Sequence, residues 1–424
     1  MSQKSRDAVR DPYLALRFPE YRSYVFATFL FTVSILVQEV VLGYQLYSLT
    51  HNPLSLAMAG LAEAVPFIAL TLYGGHIADV KNKRRIILWS VAAITVGSTI
   101  LAFFAQASLN GTIPTPTLLV VVYGMIVLIG ICRAFQRPAA SSLRAFLVPV
   151  SVYENAATWN TSFFQAGAIL GPAIGGFLYA WLGFAQSLMA VVGMLLGALI
   201  LFSRVTEKKG ESAAVREDVF QSIKQGIRFV WHTKPILFAI SLDLFSVLFG
   251  GVVAILPIYA QDILMVGARG LGILRAAPSA GAVITLLALS RMSPMRHAWR
   301  NMLIAVFGFG ISILAFAISP WFLVSIGALF LSGAFDSISV VIRQTLLQLR
   351  TPEEMMGRVM AVNGIFIASS NELGAFESGV AAKVMGTIPS AIFGGVMTLV
   401  IAGWVSLRTR DLLTVRLDTA EGKM

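Results

Sequence analysis

The sequence predicts an all-α membrane protein, with twelve transmembrane helices in two pseudo-symmetric six-helix bundles. Three observations carry that reading. Of 424 residues, 57% are hydrophobic and only 12% charged, with a mean hydropathy of +0.79, whereas soluble domains carry about 25% charged residues. The charges are also clustered: Ile86 to Cys132, Asn155 to Ser203, Asn301 to Phe335 and Val384 to Leu407 contain none. Finally, the second half of the chain echoes the first.

A helix needs about 20 apolar residues to cross a ~30 Å hydrocarbon core. The first two uncharged runs are long enough for two crossings each. Each holds a turn signal, Thr112-Ile113-Pro114-Thr115-Pro116 in one and Trp181-Leu182-Gly183 in the other. A strand barrel would instead show segments of alternating polarity, and these runs are apolar all round. Spans one to six centre near Leu36, Val65, Gly97, Leu128, Ile169 and Met194. Spans seven to twelve centre near Leu248, Ala280, Ile311, Phe330, Glu372 and Met397. The first apolar segment is too long for a cleavable signal peptide.

The repeat appears at two offsets. An offset of 203 residues pairs Gly130 with Gly333, Leu143 with Leu346, Pro149 with Pro352, Asn160 with Asn363 and Gly171 with Gly374. Earlier in each half the offset is 212, pairing Val40-Val41 with Val252-Val253 and Tyr47 with Tyr259. A longer connection between spans three and four than between nine and ten accounts for the change. The expected organisation is a bundle over 1–203, a cytoplasmic linker over 204–234 and a second bundle with a short tail over 235–424. Two such halves in parallel repeat are the plan of many secondary transporters.

The net charge of +11 is distributed as a membrane protein distributes it. Lys81, Lys83, Arg84 and Arg85 share one loop. Arg204, Lys208, Lys209, Arg216, Lys224, Arg228 and Lys234 share the linker, Arg291, Arg296 and Arg300 a third connection, and Arg408, Arg410 and Arg416 the tail. If the spans alternate, all face one side, which the positive-inside bias assigns to the cytoplasm. Both termini are then cytoplasmic, the bilayer is the inner membrane, and nucleic acid is not a partner. In the linker, Val219, Ile223, Ile227 and Val230 recur at helical spacing with Lys224 and Arg228 off the stripe. That pattern fits a helix on the membrane surface and equally a plain linker helix. One cysteine, Cys132, and four scattered histidines give no disulfide framework or metal site. No cofactor is expected. No P-loop, H-E-x-x-H or Ser–His pattern supports an enzyme.

Span two ends in Gly74-Gly75-His76-Ile77-Ala78-Asp79-Val80-Lys81-Asn82-Lys83-Arg84-Arg85. This resembles the signature loop of the major facilitator superfamily. The resemblance implies a gating or folding role for Asp79, Arg84 and Arg85, with Asp79 accepting from a neighbouring helix N-terminus. Asn82 replaces the usual Gly, and Asn tolerates the left-handed conformation a tight turn needs; Val80 replaces the usual basic residue. Span five carries Gly167, Gly171, Pro172, Gly175 and Gly176, resembling the glycine-proline motif of superfamily exporters. It reads either as a direction-specifying element or as a close helix crossing. Span eight offers matching small residues in Gly272, Ala276, Ala277, Ala280 and Gly281. Together with Trp159-Asn160 and Asn371 to Gly379, residues 17 to 410 resemble the enterobactin-exporter and macrolide-efflux branch. Export of a small molecule, a drug or siderophore, is what that resemblance implies.

Charged groups at membrane depth are costly and mark paired or functional positions. The candidates are Glu39, Glu63 and Arg133 in the first half, and Asp243, Arg275, Asp336, Glu372 and Glu377 in the second. A proton is the expected coupling ion, with Glu39, Asp243 and Asp336 as carriers. Glu39 leads because span one carries no basic residue after Arg22. The 203-residue offset sets Arg133 against Asp336, opposite charges on spans four and ten. That pair reads as a gate or as a permanent structural contact, and either residue can instead pair with other neighbours. Tyr44, Trp159, Phe163, Phe164, Asn371 and Glu372 are candidates for a substrate cavity, packing being the competing role for the aromatics. The alternatives to an exporter are a proton-coupled nutrient importer and a non-transporting membrane sensor. A monomer is expected.

Overall fold

Long uncharged runs become helices because hydrocarbon offers no water to satisfy backbone N–H and C=O groups. The computed structural model describes residues 12–207, 219–291 and 294–414, and every regular element among them is a helix. They are α1 (Pro19–Thr50), α2 (Pro53–Val80), α3 (Lys83–Leu109), α4 (Thr115–Arg144), α5 (Tyr153–Ser203) and the linker helix α6 (Val219–His232). There follow α7 (Lys234–Gly250), α8 (Gly267–Leu289), α9 (Ala298–Ile318), α10 (Phe322–Arg350), α11 (Glu353–Met385) and α12 (Thr387–Arg408). Ten segments are long and apolar enough to cross a bilayer, so the chain is a multi-pass membrane protein. One of the ten, Val150–Ser203, has 54 residues, and α5 within it breaks at Gly183, whose φ of 78° suits a residue without a Cβ. Between α3 and α4 the chain turns at Gly111, also at positive φ, and re-enters through Pro114. Lys208, Lys209, Arg216 and Arg416 lie outside the described residues.

The chain divides into two units: Met1–Leu49 with Ala62–Ala213, and Thr50–Leu61 with Ala214–Met424. The first turns of α2 thus cluster with the second unit, where a Cβ on Gly60 would lie 3.2 Å from that of Ala375. In the first unit α3 packs on α4 and α5; in the second α10 packs on α8 and α9, and α7 on α11 and α12. Outward faces stay apolar, with Phe103 69%, Val120 72% and Leu323 80% exposed, as a lipid-facing surface requires.

Within the units, glycine sets the closest crossings. A Cβ on Gly171 would fall 2.7 Å from Leu36 Cβ, and one on Gly175 3.0 Å from the Val37 carbonyl. The small-residue face of α5 therefore seats α1, and Gly167 meets Thr32 on the same helix. The matching small residues of α8 have their own partner: a Cβ on Gly281 would strike the Phe330 carbonyl of α10. The repeat is visible in contact as well as in sequence. Gly130 of α4 lies against the Glu63 carbonyl and Pro66 of α2, and Gly333 of α10 lies against the Pro278 carbonyl of α8.

One local expectation is corrected. Asn82 is extended (φ −63°, ψ 109°), not left-handed, and its side-chain oxygen accepts from the Arg85 N–H at 3.1 Å. Asn serves here because it caps α3, satisfying a free helical donor. In α6 the buried face runs through Gly226 and Val230 onto α11 and the core around Ile236 and Val359. Ile227, placed by its spacing on the same stripe as Val230, is 46% exposed beside Trp231 at 68%. Gly226 admits the Arg358 carbonyl, and a helix can seat only one side on that contact. Arg358 also donates to Gln225 Oε1 at 2.6 Å. The side chains of Val219 and Ile223 lie outside the described residues.

Helix propensity and packing pull in opposite directions at these glycines, giving a test with opposite signs. Gly327 meets nothing within 4 Å, so Gly327→Ala should keep or raise the thermal midpoint, its stability gaining up to about 1 kcal/mol. Gly333→Ala should lower it, because overpacking against a backbone carbonyl costs about 1–3 kcal/mol. A Gly333→Ala protein as stable in detergent as Gly327→Ala would show the crossing to be loose.

Candidate functional site

In the first unit the charged site lies between α2 and α4. Arg133 forms an ion pair with Glu63, the side chains being 21% and 17% exposed. Sequence spacing alone sets Arg133 against Asp336; the structure gives it Glu63. Glu63 stands one turn before Pro66 and Arg133 one turn after Gly130, so the close α2–α4 crossing brings the two together. Phe67 carries Arg133 and Arg137 over its ring at 5.9 and 5.1 Å, a cation–π arrangement that holds both guanidinium groups. Glu39 is half-buried on α1.

The aromatic candidates of this unit are largely engaged with one another. Trp159 Nε1 donates to the Pro12 carbonyl at 2.8 Å, and its ring meets Tyr13 at 5.6 Å and Phe163 at 5.7 Å. Phe163 continues to Phe26 and Phe29 at 4.9 and 5.7 Å. Together they pin the segment before α1 to α5. Tyr44 stacks edge-on with Tyr179 at 4.7 Å. Phe164, by contrast, is 51% exposed. In the first turn of α3, Arg84 donates to the Ser203 carbonyl at 2.8 Å and Arg85 approaches Glu207 at 3.8 Å. The side chain of Asp79 lies outside the described residues.

In the second unit, α7 and α10 place two acidic side chains on one small cavity and pair one of them with an arginine. Asp243 of α7 and Arg343 of α10 form an ion pair, 7% and 2% exposed. Asp336, two turns before Arg343 on α10, lines a cavity of about 10 Å³ with Asp243, Ser246, Ser339, Val306 and Phe309. That is room for about one water. Arg343 is the residue that the sequence reading missed. It lies close enough to Arg350 at the end of α10 to pass for part of a cytoplasmic basic edge. Its signal is helical spacing: Asp336, Ser339 and Arg343 recur at i, i+3 and i+7 on one face.

The repeat assigns further relationships. The 212 offset carries Glu63 to Arg275 and the 203 offset carries Arg133 to Asp336, so the acid–base order of the first pair is reversed in the second half. Asp243 and Arg343 correspond to Phe31 and Ala140. Elsewhere in this unit, Asn371 Nδ2 donates to the Ile367 carbonyl at 2.8 Å, a local bond. Ser378 lies beside Glu377 and donates to the Gly251 carbonyl at 3.2 Å. The side chain of Glu372 lies outside the described residues. No cluster of His, Cys, Asp and Glu among the described residues could hold a metal.

Breaking a partly buried pair leaves one charge uncompensated. Glu63→Ala and Arg133→Ala should each lower the thermal midpoint, and the double variant should lose less than their sum, with a coupling of about 1–3 kcal/mol. Strict additivity in that double-mutant cycle would remove the pair from any account of the first unit.

Residues 11–420 match the transmembrane secretion effector family. Enterobactin exporter EntS of Shigella boydii serotype 18 and of Escherichia coli O1:K1 are each 26% identical to this chain over 392 residues, covering 90% of both partners. Among solved structures, a POT family transporter in complex with 5-aminolevulinic acid superposes with a TM-score of 0.72 at 13% identity, covering 92% of this chain and 96% of its own. A bacterial homologue of the iron transporter ferroportin gives 0.70 at 14% identity, covering 93% and 99%. A bacterial homologue of the lysosomal transporter Spinster gives 0.70 at 17%, covering 94% and 99%. With glycine-set crossings repeated in both halves, buried charge pairs, and a family match along nearly its whole length, this chain belongs to the transmembrane secretion effector family of major facilitator superfamily transporters.

Proposed function

We propose that this protein exports a small organic molecule from the cytoplasm in exchange for protons, by alternating access. The observation that carries the export direction is similarity to the enterobactin exporter along 90% of both chains. Siderophores and lipophilic drugs are the substrate classes this favours. The support for protons is chemical: carboxyls are kept at membrane depth. Glu39, Asp243 and Asp336 are the candidate carriers.

The topology that goes with this function has twelve spans, with α5 counted twice across Gly183 and α11 as the eleventh. The 33 residues of α11 extend roughly 50 Å at 1.5 Å per residue, ample for a crossing although its carboxyls keep it from being uniformly apolar. Both termini and α6 are then cytoplasmic, the membrane is the bacterial inner membrane, and the working unit is a monomer. A proton-coupled importer needs the same buried carboxyls; the exporter relatives favour the outward direction.

Inside-out vesicles with an acidified lumen should accumulate enterobactin or ethidium when this protein is present, and collapse of the pH gradient should release it. Uptake driven only in right-side-out vesicles would identify an importer. Equal flux with and without a gradient would remove proton coupling.

A further inference from the structure

Arg343 is the largest of the fully buried side chains, and its guanidinium is engaged by Asp243 on a different helix. Burying such a pair is expensive, and the fold does not require it, since the first half is built with Phe31 and Ala140 at the corresponding positions. Nor does Asp243 use up the guanidinium. Arginine has five N–H donors, and Nε of Arg343 is buried with no hydrogen-bond partner. A second acid, Asp336, stands on the same face of α10, about 10 Å along the helix at 1.5 Å per residue, and shares the small cavity with Asp243.

Charge counting then restricts what this site can do. Two carboxylates and one guanidinium sum to −1; with one proton the sum is zero, the cheaper state at membrane depth. The neighbouring helices carry further groups. From α8 comes Arg275, at the repeat position of Glu63, one turn before Pro278. From α11 comes Glu377, beside Ser378 at the Gly251 end of α7. α9 contributes Ala305, Val306 and Phe309, and α12 the neutral Thr398 beside Ser246.

We propose that Asp336 carries the coupling proton, and that Arg343, anchored by Asp243, is the counter-ion that receives Asp336 when the proton leaves. The O–H bond of the Asp336 carboxyl breaks toward cytoplasmic water, the electron pair stays on the carboxylate oxygen, and an Arg343 N–H donates to it. A proton arriving from the opposite face restores the acid and returns the guanidinium to Asp243 alone. One proton is moved per cycle. This rests on the proton-antiport reading above.

Infrared difference spectroscopy of the purified protein in lipid nanodiscs, titrated through pH, reads the proton without any substrate. A protonated-carboxyl C=O band should appear on acidification, vanish in Asp336→Asn, persist in Glu39→Gln and shift in Arg343→Lys. In proteoliposomes, Asp336→Asn should lose gradient-driven ethidium accumulation to the level of empty liposomes while retaining ethidium exchange at equal pH on both sides. Should Asp336→Asn fail to fold, Asp336→Glu must keep the band and the accumulation. Persistence of the full band in Asp336→Asn, or wild-type accumulation by that variant, overturns the assignment. Wild-type protein that shows the band yet moves ethidium and enterobactin independently of the gradient would instead defeat the antiport reading and leave the proton site standing.

Discussion

Gly333 of α10 rests against the Pro278 carbonyl of α8, and the chemistry available to the second bundle depends on that backbone contact. Association of helices in lipid is driven by close packing, since the solvent is as apolar as the side chains. A glycine that admits a carbonyl fixes both the depth and the rotation of its helix. With α10 rotated so that Gly333 faces α8, the residues one and three turns later are fixed as well: Asp336 lines the cavity shared with α7, and Arg343 meets Asp243. The same construction in the first bundle sets Gly130 against α2 and delivers Arg133 to Glu63.

Much of the architecture was legible because its signals are local. Gly183 could be read as a break because few other residues accept its positive φ, and the 203 offset between Gly130 and Gly333 marked positions that the structure shows making equivalent contacts. What escaped depended on contacts between segments distant in sequence. Asn82 looked like a glycine substitute and proved to be a helix cap. The stripe through Ile227 gave no sign that Gly226 seats the helix against the Arg358 carbonyl. The charges were the least legible. Arg343 sits near a basic helix end, and only the three-dimensional approach of Asp243 distinguishes a buried guanidinium from a solvated one.

The span-five glycines show how a motif of small residues leaves its packing partner hidden. Gly167, Gly171 and Gly175 recur every four residues, which puts them on one ridge of α5. That ridge receives Thr32, Leu36 and Val37 of α1. Small residues at this spacing say that some helix approaches closely. Which helix arrives is set by the opposing side chains, and those are not encoded in the motif.

The two halves share a scaffold and differ in what they place on it. In the first, one acid and one base cancel, and the guanidinium is further held over Phe67; such a site has no reason to take up a proton in order to be neutral. In the second, the order of charge is reversed at the equivalent positions and a further acid and base are added where the first half has Phe31 and Ala140. Around the cavity this leaves two acids against one directly engaged base, with a guanidinium donor still unmatched. A balanced pair can stabilise a bundle through every state of a cycle, whereas an unbalanced group becomes neutral only by taking up a proton. On the antiport reading proposed above, divergence of charge between the two repeats would give one bundle held together by a neutral pair and one whose charge can change.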